Sequence, residues 1–350
     1  MRTRTIRSVA PALVIPLIMI LACNLGVPRP GAPAAPATQP PVSSPISPPT
    51  LTAAVVDEAS TQINITPTTI ISHQLKPADL APVGKLVYDV ESDATAAEKR
   101  APYGDSYDIT RLERPFLQDM TYNPNLDIST YMVGKDASFY YVSIALVGQD
   151  PNDPLGINFA VELDVDHDGF GDYIIWARPP FPTTWDTAPV QIYQDTNHDT
   201  GGLSAEKSDA PLKGDGYDKL VFNGGNGDAD PDMAWVRVNA GMPGLVQFAF
   251  KRSWSGDVFM LGVMADAGLK DPKQLDYVDR FTFADAGSPI RGNKFYPLKA
   301  LYAVDNVCRQ AFGFKTTGYE PQLCPAQEPQ PTKKPKATSA PTPVDTQPSP

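Results

Sequence analysis

The sequence contains few of the residue types on which most catalytic sites are built. Its 350 residues include only three cysteines and three histidines. It has no His-Glu-x-x-His pattern, no Gly-x-Ser-x-Gly pattern and no glycine-rich phosphate loop. These absences count against a zinc peptidase, a serine hydrolase of the α/β class and a nucleotide-binding enzyme.

Long apolar runs are also missing. Residues 10–22 form an apolar run that is too short to cross a hydrocarbon layer of about 30 Å as a helix, but it follows three arginines as in a signal peptide. The stretch Ile20-Leu21-Ala22-Cys23 resembles a bacterial lipobox. We therefore predict a lipoprotein signal peptide over residues 1–22, export, and a lipid on Cys23 that anchors the protein to a bacterial membrane, facing the periplasm or the cell exterior. The alternative is an ordinary signal peptide cut near Ala22.

Positive charge is scarce where a nucleic-acid-binding protein would need it. The net charge is -11, and residues 150–232 alone hold fifteen Asp and two Glu against four basic residues. Such an acidic field repels phosphate backbones and attracts cations. We therefore expect no nucleic-acid partner.

Proline is abundant, but it is concentrated at the two ends of the chain. Nine of the 38 prolines lie in residues 27–50 and eight lie in residues 325–350. Segments of this composition cannot bury much apolar surface and favour extended, disordered conformations. We predict a Pro/Thr-rich stalk over residues 23–79 and a disordered Pro-rich tail over residues 325–350.

Between these segments no long helical periodicity is present, and short alternating runs indicate β-strands separated by Gly, Pro, Asn and Asp clusters. This spacing predicts an all-β domain over residues 80–324, folded as an antiparallel β-sandwich with Asp-rich loops. The predicted strands are residues 84–90, 106–112, 128–133, 139–147, 159–163, 173–176, 190–194, 219–222, 234–238, 245–251, 258–265 and 281–283.

The most informative motif is the acidic stretch over residues 164–172, which lies between two predicted strands. Aspartates at alternate positions with glycine at the sixth are typical of a Ca²⁺ loop, because alternate side chains turn inward and glycine permits a sharp bend. The flanks are strand-like, so this is not an EF-hand. The stretch resembles the calcium loops of thrombospondin type 3 and dockerin repeats. The predicted ligands are Asp164, Asp166, Asp168, Asp172 and the carbonyl of Phe170.

A second, weaker metal loop follows the next strand. Asp195, Asn197 and Asp199 again space oxygen-bearing side chains by two residues, but no further acid lies in register. An ordinary exposed turn is an equally good explanation. His167 and His198 occupy the fourth position of the two loops, and we interpret both as solvent-exposed loop residues.

Four stretches are similar to the β-sandwich group that includes DOMON domains and family 9 carbohydrate-binding modules. This resemblance implies a β-sandwich fold and a glycan as the ligand class. The stretches are Tyr107-Asp-Ile, Asp127-Ile-Ser-Thr-Tyr-Met-Val, Phe139-Tyr-Tyr-Val-Ser-Ile-Ala-Leu and Val161-Glu-Leu-Asp-Val-Asp.

Aromatic and acidic side chains supply the remaining candidates. Trp185 lies in a proline-rich loop, where an indole can stack on a sugar ring, although burial in the core is the safer interpretation. The other three tryptophans lie in or beside strands and are expected in the core. A glycosidase would need paired carboxylates, for which Glu113 and Glu162 are conceivable, but no spacing singles them out.

Cys308 and Cys324 are the remaining cysteines, and an oxidising compartment favours a disulfide between them. The sequence as a whole predicts a surface-anchored lipoprotein whose calcium-stabilised β-sandwich serves as a binding or adhesion module, for a glycan or another envelope component. A glycoside-active secreted enzyme and a purely structural envelope protein are the alternatives.

Overall fold

Eleven β-strands dominate the computed structural model, which describes residues 71–102, 113–200, 214–275 and 301–325. All of these residues belong to the second of two units, Thr66–Pro350. The strands are β1 (Lys85–Tyr88), β2 (Ile128–Lys135), β3 (Phe139–Leu146), β4 (Asn158–Asp164), β5 (Tyr173–Ala177), β6 (Val190–Gln194), β7 (Lys219–Asn223), β8 (Ala234–Val238), β9 (Leu245–Lys251), β10 (Phe259–Asp266) and β11 (Val304–Phe312). Two four-residue helices accompany them, α1 (Asp93–Ala96) and α2 (Arg252–Ser255).

These strands form two sheets. The five-stranded sheet has the order β1-β2-β3-β9-β8, and the six-stranded sheet has the order β11-β10-β4-β5-β6-β7. Every pairing is antiparallel. Strands β1–β10 each overlap a predicted strand, so the all-β sandwich is confirmed. The predicted strands 106–112 and 281–283 lie outside the described residues, and β11 was not predicted.

The two sheets bury one common core between them. On β4 the alternate residues Phe159, Val161 and Leu163 belong to this core, as do the alternate residues of β3 on the facing sheet, such as Tyr140 and Val142. The Tyr140 and Phe259 rings, one from each sheet, lie 5.0 Å apart. Alternation then places Glu162 and Asp164 on the outer face of the six-stranded sheet. This is the face on which the acidic site is built.

Both outer faces are also partly covered. On the six-stranded sheet a second apolar cluster surrounds Trp176 and Met264, and on the five-stranded sheet another surrounds Tyr141 and Trp235. Trp176 and Trp235 are fully buried, and Trp254 packs against the main core. Trp176 and Trp235 are thus buried, as expected, but in the outer-face clusters and not between the sheets, and Trp254 is half-buried.

Residues 71–82, which we call the strap, lie across the outer face of the five-stranded sheet. The amide of Ala78 donates to the hydroxyl of Tyr141 at 2.8 Å, and the side chain of Arg237 donates to the carbonyl of Asp79 at 2.6 Å. The sequence assigned residues 71–79 to the stalk. In the structure they already contact the folded domain.

A disulfide joins Cys308 on β11 to Cys324, with a Cα–Cα distance of 4.8 Å, as predicted. The predicted signal peptide, Cys23, residues 23–70 of the stalk and nearly all of the tail lie outside the described residues. Within the described part of the chain, no helix has the length and apolar character needed to cross a membrane.

Candidate metal centre

The loop between β4 and β5 folds around the carboxylate of Asp164. That carboxylate accepts hydrogen bonds from the backbone amides of His167 at 2.7 Å and Gly169 at 3.1 Å. Gly169 has a φ of 99°, in the left-handed region that glycine adopts without strain. Glycine at the sixth position is therefore a backbone requirement of this bend, as the motif predicts.

Alternation then brings the loop carboxylates together. Asp164, Asp166 and Asp168 each offer an oxygen, and these oxygens lie within 4.8 Å of one another. Asp172 closes the loop, because its carboxylate accepts the amide of Val165 at 2.6 Å. The four predicted acidic ligands of the first loop thus fall into two overlapping groups that share Asp166, one with Asp164 and Asp168 and one with Asp172. Phe170 is half-buried and its amide donates to Asp168 at 2.9 Å.

The second loop does not form a cage of its own. The buried carboxylate of Asp195 accepts four backbone amides of its own loop, from Asn197 to Thr200. Asp199 accepts the amides of Asp215 and Gly216, and the Asn197 amide group donates to Asp215 at 2.9 Å. Among the described residues, the groups whose possible metal-ligand atoms lie within 4.8 Å of one another contain neither Asp195 nor Asp199. These side chains hold loop backbone instead of facing a common centre.

The second loop contributes to the first through His198. Strands β5 and β6 are neighbours, and the amide of Gly171 donates to the carbonyl of Thr200 at 2.7 Å, so the two loops lie side by side. His198 Nδ1 is 3.3 Å from Asp168 Oδ2, and the His198 ring shares a second cluster with Asp166 and Asp172. His198 is exposed, as expected, but it faces the acidic loop.

A buried arginine side chain already faces one side of the loop. Arg309 on β11 pairs with Asp164 at 2.8 Å and with Glu162 at 3.0 Å, and it also donates to the carbonyl of Gly169. The other oxygen of Glu162 accepts the hydroxyl of Tyr217. Arg309 is only 1% exposed. Sequence reasoning missed this network, because its members come from three distant segments.

The electrostatics of the loop reflect burial and crowding. Burial raises the pKa of Asp164 to about 6, against the opposing effect of the Arg309 charge. Burial also raises the pKa of Asp172, and the neighbouring Asp166 charge adds to this. Both carboxyls are therefore harder to ionise than an ordinary aspartate. A cation at the loop would favour their charged forms.

Three other predicted residues occupy places that limit their proposed roles. The indole of Trp185 donates to the carbonyl of Ala78 at 2.9 Å, and the Arg237 guanidinium lies 4.2 Å above its ring, which does not favour sugar stacking. Glu162 forms an ion pair with the buried Arg309. Glu113 is buried, with 2% of its surface exposed. A shallow pocket of about 240 Å³ beside Arg178 is lined by neither glutamate.

His167 differs from the prediction that it is a solvent-exposed loop residue. Its ring stacks on Phe314 with 4.0 Å between centroids, and its Nε2 atom is buried without a hydrogen-bond partner in the described part of the chain. The ring therefore packs against Phe314 and is not a freely exposed loop side chain.

Comparison of the chain with protein families, with curated proteins and with solved structures found no match. The resemblance to DOMON domains and family 9 carbohydrate-binding modules stays a prediction. The function proposed below rests on the geometry of the acidic loops.

Proposed function

We propose that this chain is an exported, lipid-anchored protein whose β-sandwich is stabilised by Ca²⁺ and acts as a binding or adhesion module. The observation that supports this proposal most directly is the convergence of Asp164, Asp166 and Asp168 within 4.8 Å. Oxygen ligands on a bent loop are what Ca²⁺ requires. The role of the ion is structural, because it would fix the loop between two central strands.

The cost of leaving the loop without a cation is considerable. Two carboxylates about 5 Å apart repel by about 3 kcal/mol at an effective dielectric constant of 20, and solvent reduces this for the exposed Asp166 and Asp168. Among the loop carboxylates Arg309 pairs with Asp164 alone, and it shares its one positive charge with Glu162. A divalent ion on the exposed side would offset the remainder.

A second ion class is supported by one specific contact. His198 joins Asp166 and Asp172 in a mixed nitrogen and oxygen set. Imidazole suits Zn²⁺ and other transition metals better than Ca²⁺, which prefers oxygen alone. The two ions therefore make different demands on the same loop: Zn²⁺ binding would depend on His198 and Ca²⁺ binding would not.

The catalytic alternative has less support in the geometry. Both carboxylate oxygens of Glu162 already have partners, Arg309 and Tyr217, and so its charge is neutralised within the fold. A catalytic carboxylate needs access to substrate and to water. Glycan binding through Trp185 also has less support, because the Arg237 guanidinium covers one face of the indole ring on which a sugar would stack.

Thermal melting in chelator, in Ca²⁺ and in Zn²⁺ tests the proposal. Extracellular modules bind Ca²⁺ at about 10⁻⁴ to 10⁻³ M, so 1 mM Ca²⁺ should stabilise the wild type by roughly 0.4 to 1.4 kcal/mol, a few degrees in Tm. Asp166→Ala should remove most of that gain. In chelator the same substitution should be neutral or mildly stabilising, because it relieves carboxylate repulsion.

Asp150→Ala is the matched control, because Asp150 is an exposed loop aspartate that accepts an amide two residues later, as Asp166 does. It should leave the Ca²⁺ effect intact. If the wild type melts at one temperature in chelator and in both metals, the loop is only a hydrated turn. If Zn²⁺ raises the Tm, His198→Ala abolishes that rise and Ca²⁺ leaves the Tm unchanged, the ion bound at the loop is a transition metal and not calcium.

A further inference from the structure

The strap is held mainly through its backbone. The amides of Gln74 and Leu75 donate to one oxygen of the buried Asp232 at 2.8 and 2.7 Å. The amide of Ala78 donates to the Tyr141 hydroxyl at 2.8 Å, and its carbonyl accepts the Trp185 indole N–H at 2.9 Å. Most of these contacts would form with any side chain at the strap positions.

Two strap residues are recognised more specifically. His73 Nδ1 lies 2.7 Å from the carboxylate of Asp232, and its ring packs on Trp235 with 4.5 Å between centroids. Pro77, four residues later, is the buried residue of the segment 72–80. The face thus selects an imidazole and a proline at a fixed spacing and otherwise binds extended backbone.

The sheet beneath the strap is shaped to receive a chain. Cross-strand register places Trp235, Ala249, Tyr141 and Gly134 in one lateral row across β8, β9, β3 and β2. A Cβ atom at Gly134 would lie 2.0 Å from the carbonyl oxygen of Pro82, so only glycine admits the strap there. Small residues therefore alternate with aromatic ones along this row, and the strap backbone lies over it.

The end of the strap that joins β1 is unevenly held. Ala81 packs on the outer apolar cluster and Pro82 lies against Gly134, but Leu80 and, just beyond the strap, Val83 are 87% and 85% exposed and gain little from burial. Release of residues 73–79 requires breaking the hydrogen bonds to Asp232, Tyr141, Trp185 and Arg237 and uncovering Pro77, with β1 still paired to β2. Pro77 is the buried residue of this segment, and segments with few buried side chains open without global unfolding.

We propose that this row is a binding groove for an extended, proline-containing peptide segment of a partner protein, and that the strap is its tethered internal ligand. Aromatic N–H and O–H groups that bond a peptide backbone beside a buried proline are typical of proline-rich peptide recognition. The partner segment would carry a histidine four residues before a proline. The proposal goes beyond the metal loops and does not depend on any ion.

Binding in trans to strap variants of the full chain tests the proposal. Gln74→Pro with Ala78→Pro deletes two backbone donors, and Gln74→Ala with Ala78→Gly is the matched control that keeps them. The probe is a fluorescent synthetic peptide of residues 71–82. Because a tethered strap competes at an effective concentration on the order of millimolar, the proline variant should bind the probe at least about tenfold more tightly than the wild type and the control.

Trp185→Phe in the proline background removes the donor to the peptide carbonyl and keeps an aromatic ring. It should weaken binding roughly fivefold, as expected for one hydrogen bond. The proposal is overturned if the proline variant binds a scrambled peptide equally well, or if Trp185→Phe changes nothing. Dimerisation of the wild-type chain through exchanged straps would overturn it in favour of a second copy as the occupant.

Amide hydrogen exchange on the wild type keeps the proposal testable if the proline variant does not fold. The amides of Gln74, Leu75 and Ala78 should exchange at least about tenfold faster than those of Val142 and Phe248 in the central strands. Equal rates would mean that the strap opens only when the domain unfolds. In that case the strap is part of the fold and the groove takes no partner.

Discussion

Arg309 is the residue on which the acidic side of the domain most depends. It is 1% exposed and lies 2.8 Å from Asp164 and 3.0 Å from Glu162. Removing one partner of a buried ionic network leaves uncompensated charge, which costs about 3–5 kcal/mol. We therefore expect Arg309→Met to lower the free energy of unfolding by that amount, measured by urea denaturation.

Arg100→Met is the control for this prediction. Arg100 pairs with Glu98 at 2.7 Å, but both side chains are substantially exposed. Exposed pairs contribute about 0–1 kcal/mol, so this variant should unfold almost as the wild type does. Equal losses in the two variants would contradict a special cost of the unpaired buried charge.

Asp266 gives the domain a pH dependence that is separate from the metal loop. It is fully buried, and burial raises its pKa to about 6 despite hydrogen bonds from the Leu269 and Lys270 amides. Because the folded-state pKa exceeds the ordinary value of 3.8, the folded protein retains a proton that the unfolded chain has lost between these values. The stabilisation from this group is complete below about pH 4 and is lost as the pH rises to about 6.

Urea denaturation of the wild type and of Asp266→Asn at pH 4, 5, 6 and 7 measures this contribution. The difference in free energy of unfolding between wild type and variant should fall by about 2 kcal/mol across the series, since one pKa unit corresponds to about 1.4 kcal/mol and the series begins slightly above the unfolded pKa. Asp150→Asn, at an exposed position, is the matched control for the substitution itself. A constant difference for Asp266→Asn would contradict the raised pKa.

At the scale of elements, the strands with clear alternation could be predicted and β11 could not. On β4, apolar residues alternate with others and face the core. On β11, Asp305, Asn306, Arg309 and Gln310 are buried polar residues, so the hydrophobic period that identifies a strand is absent. Their burial is possible because partners from other segments satisfy them, and a single strand's sequence does not reveal those partners.

The disulfide fixes the end of this unpredicted strand. Cys308 and Cys324 are 16 positions apart, and closing a loop of this length stabilises by about 3 kcal/mol if chain entropy dominates. We expect Cys308→Ala with Cys324→Ala to lose about that much stability in urea. A thiol assay on the unreduced, denatured Cys23→Ser protein should find no free thiol, and two free thiols would refute the bridge.

At the scale of the molecule, the predictable part of the site is the part encoded in one continuous stretch. Residues 164–172 fold locally around Asp164, so their convergence follows from their own spacing. Arg309, His198 and the strap reach their sites only after β11, β6 and the five-stranded sheet have assembled. Side chains that meet from separate segments of the chain leave no periodic signal in the sequence.

Membrane attachment of the whole protein is predicted to depend on Cys23. Within the described residues no helix can cross a membrane, and the apolar run at residues 10–22 is too short to do so. If Cys23 carries the lipid, Cys23→Ser should move the protein from the membrane fraction to the soluble fraction, because the acyl chains supply the apolar contact with the bilayer. Asn24→Ser, one residue away, should stay membrane-bound. Carbonate-washed membranes probed with an antibody measure this, and a Cys23→Ser protein that remains in them would show that another segment is the anchor.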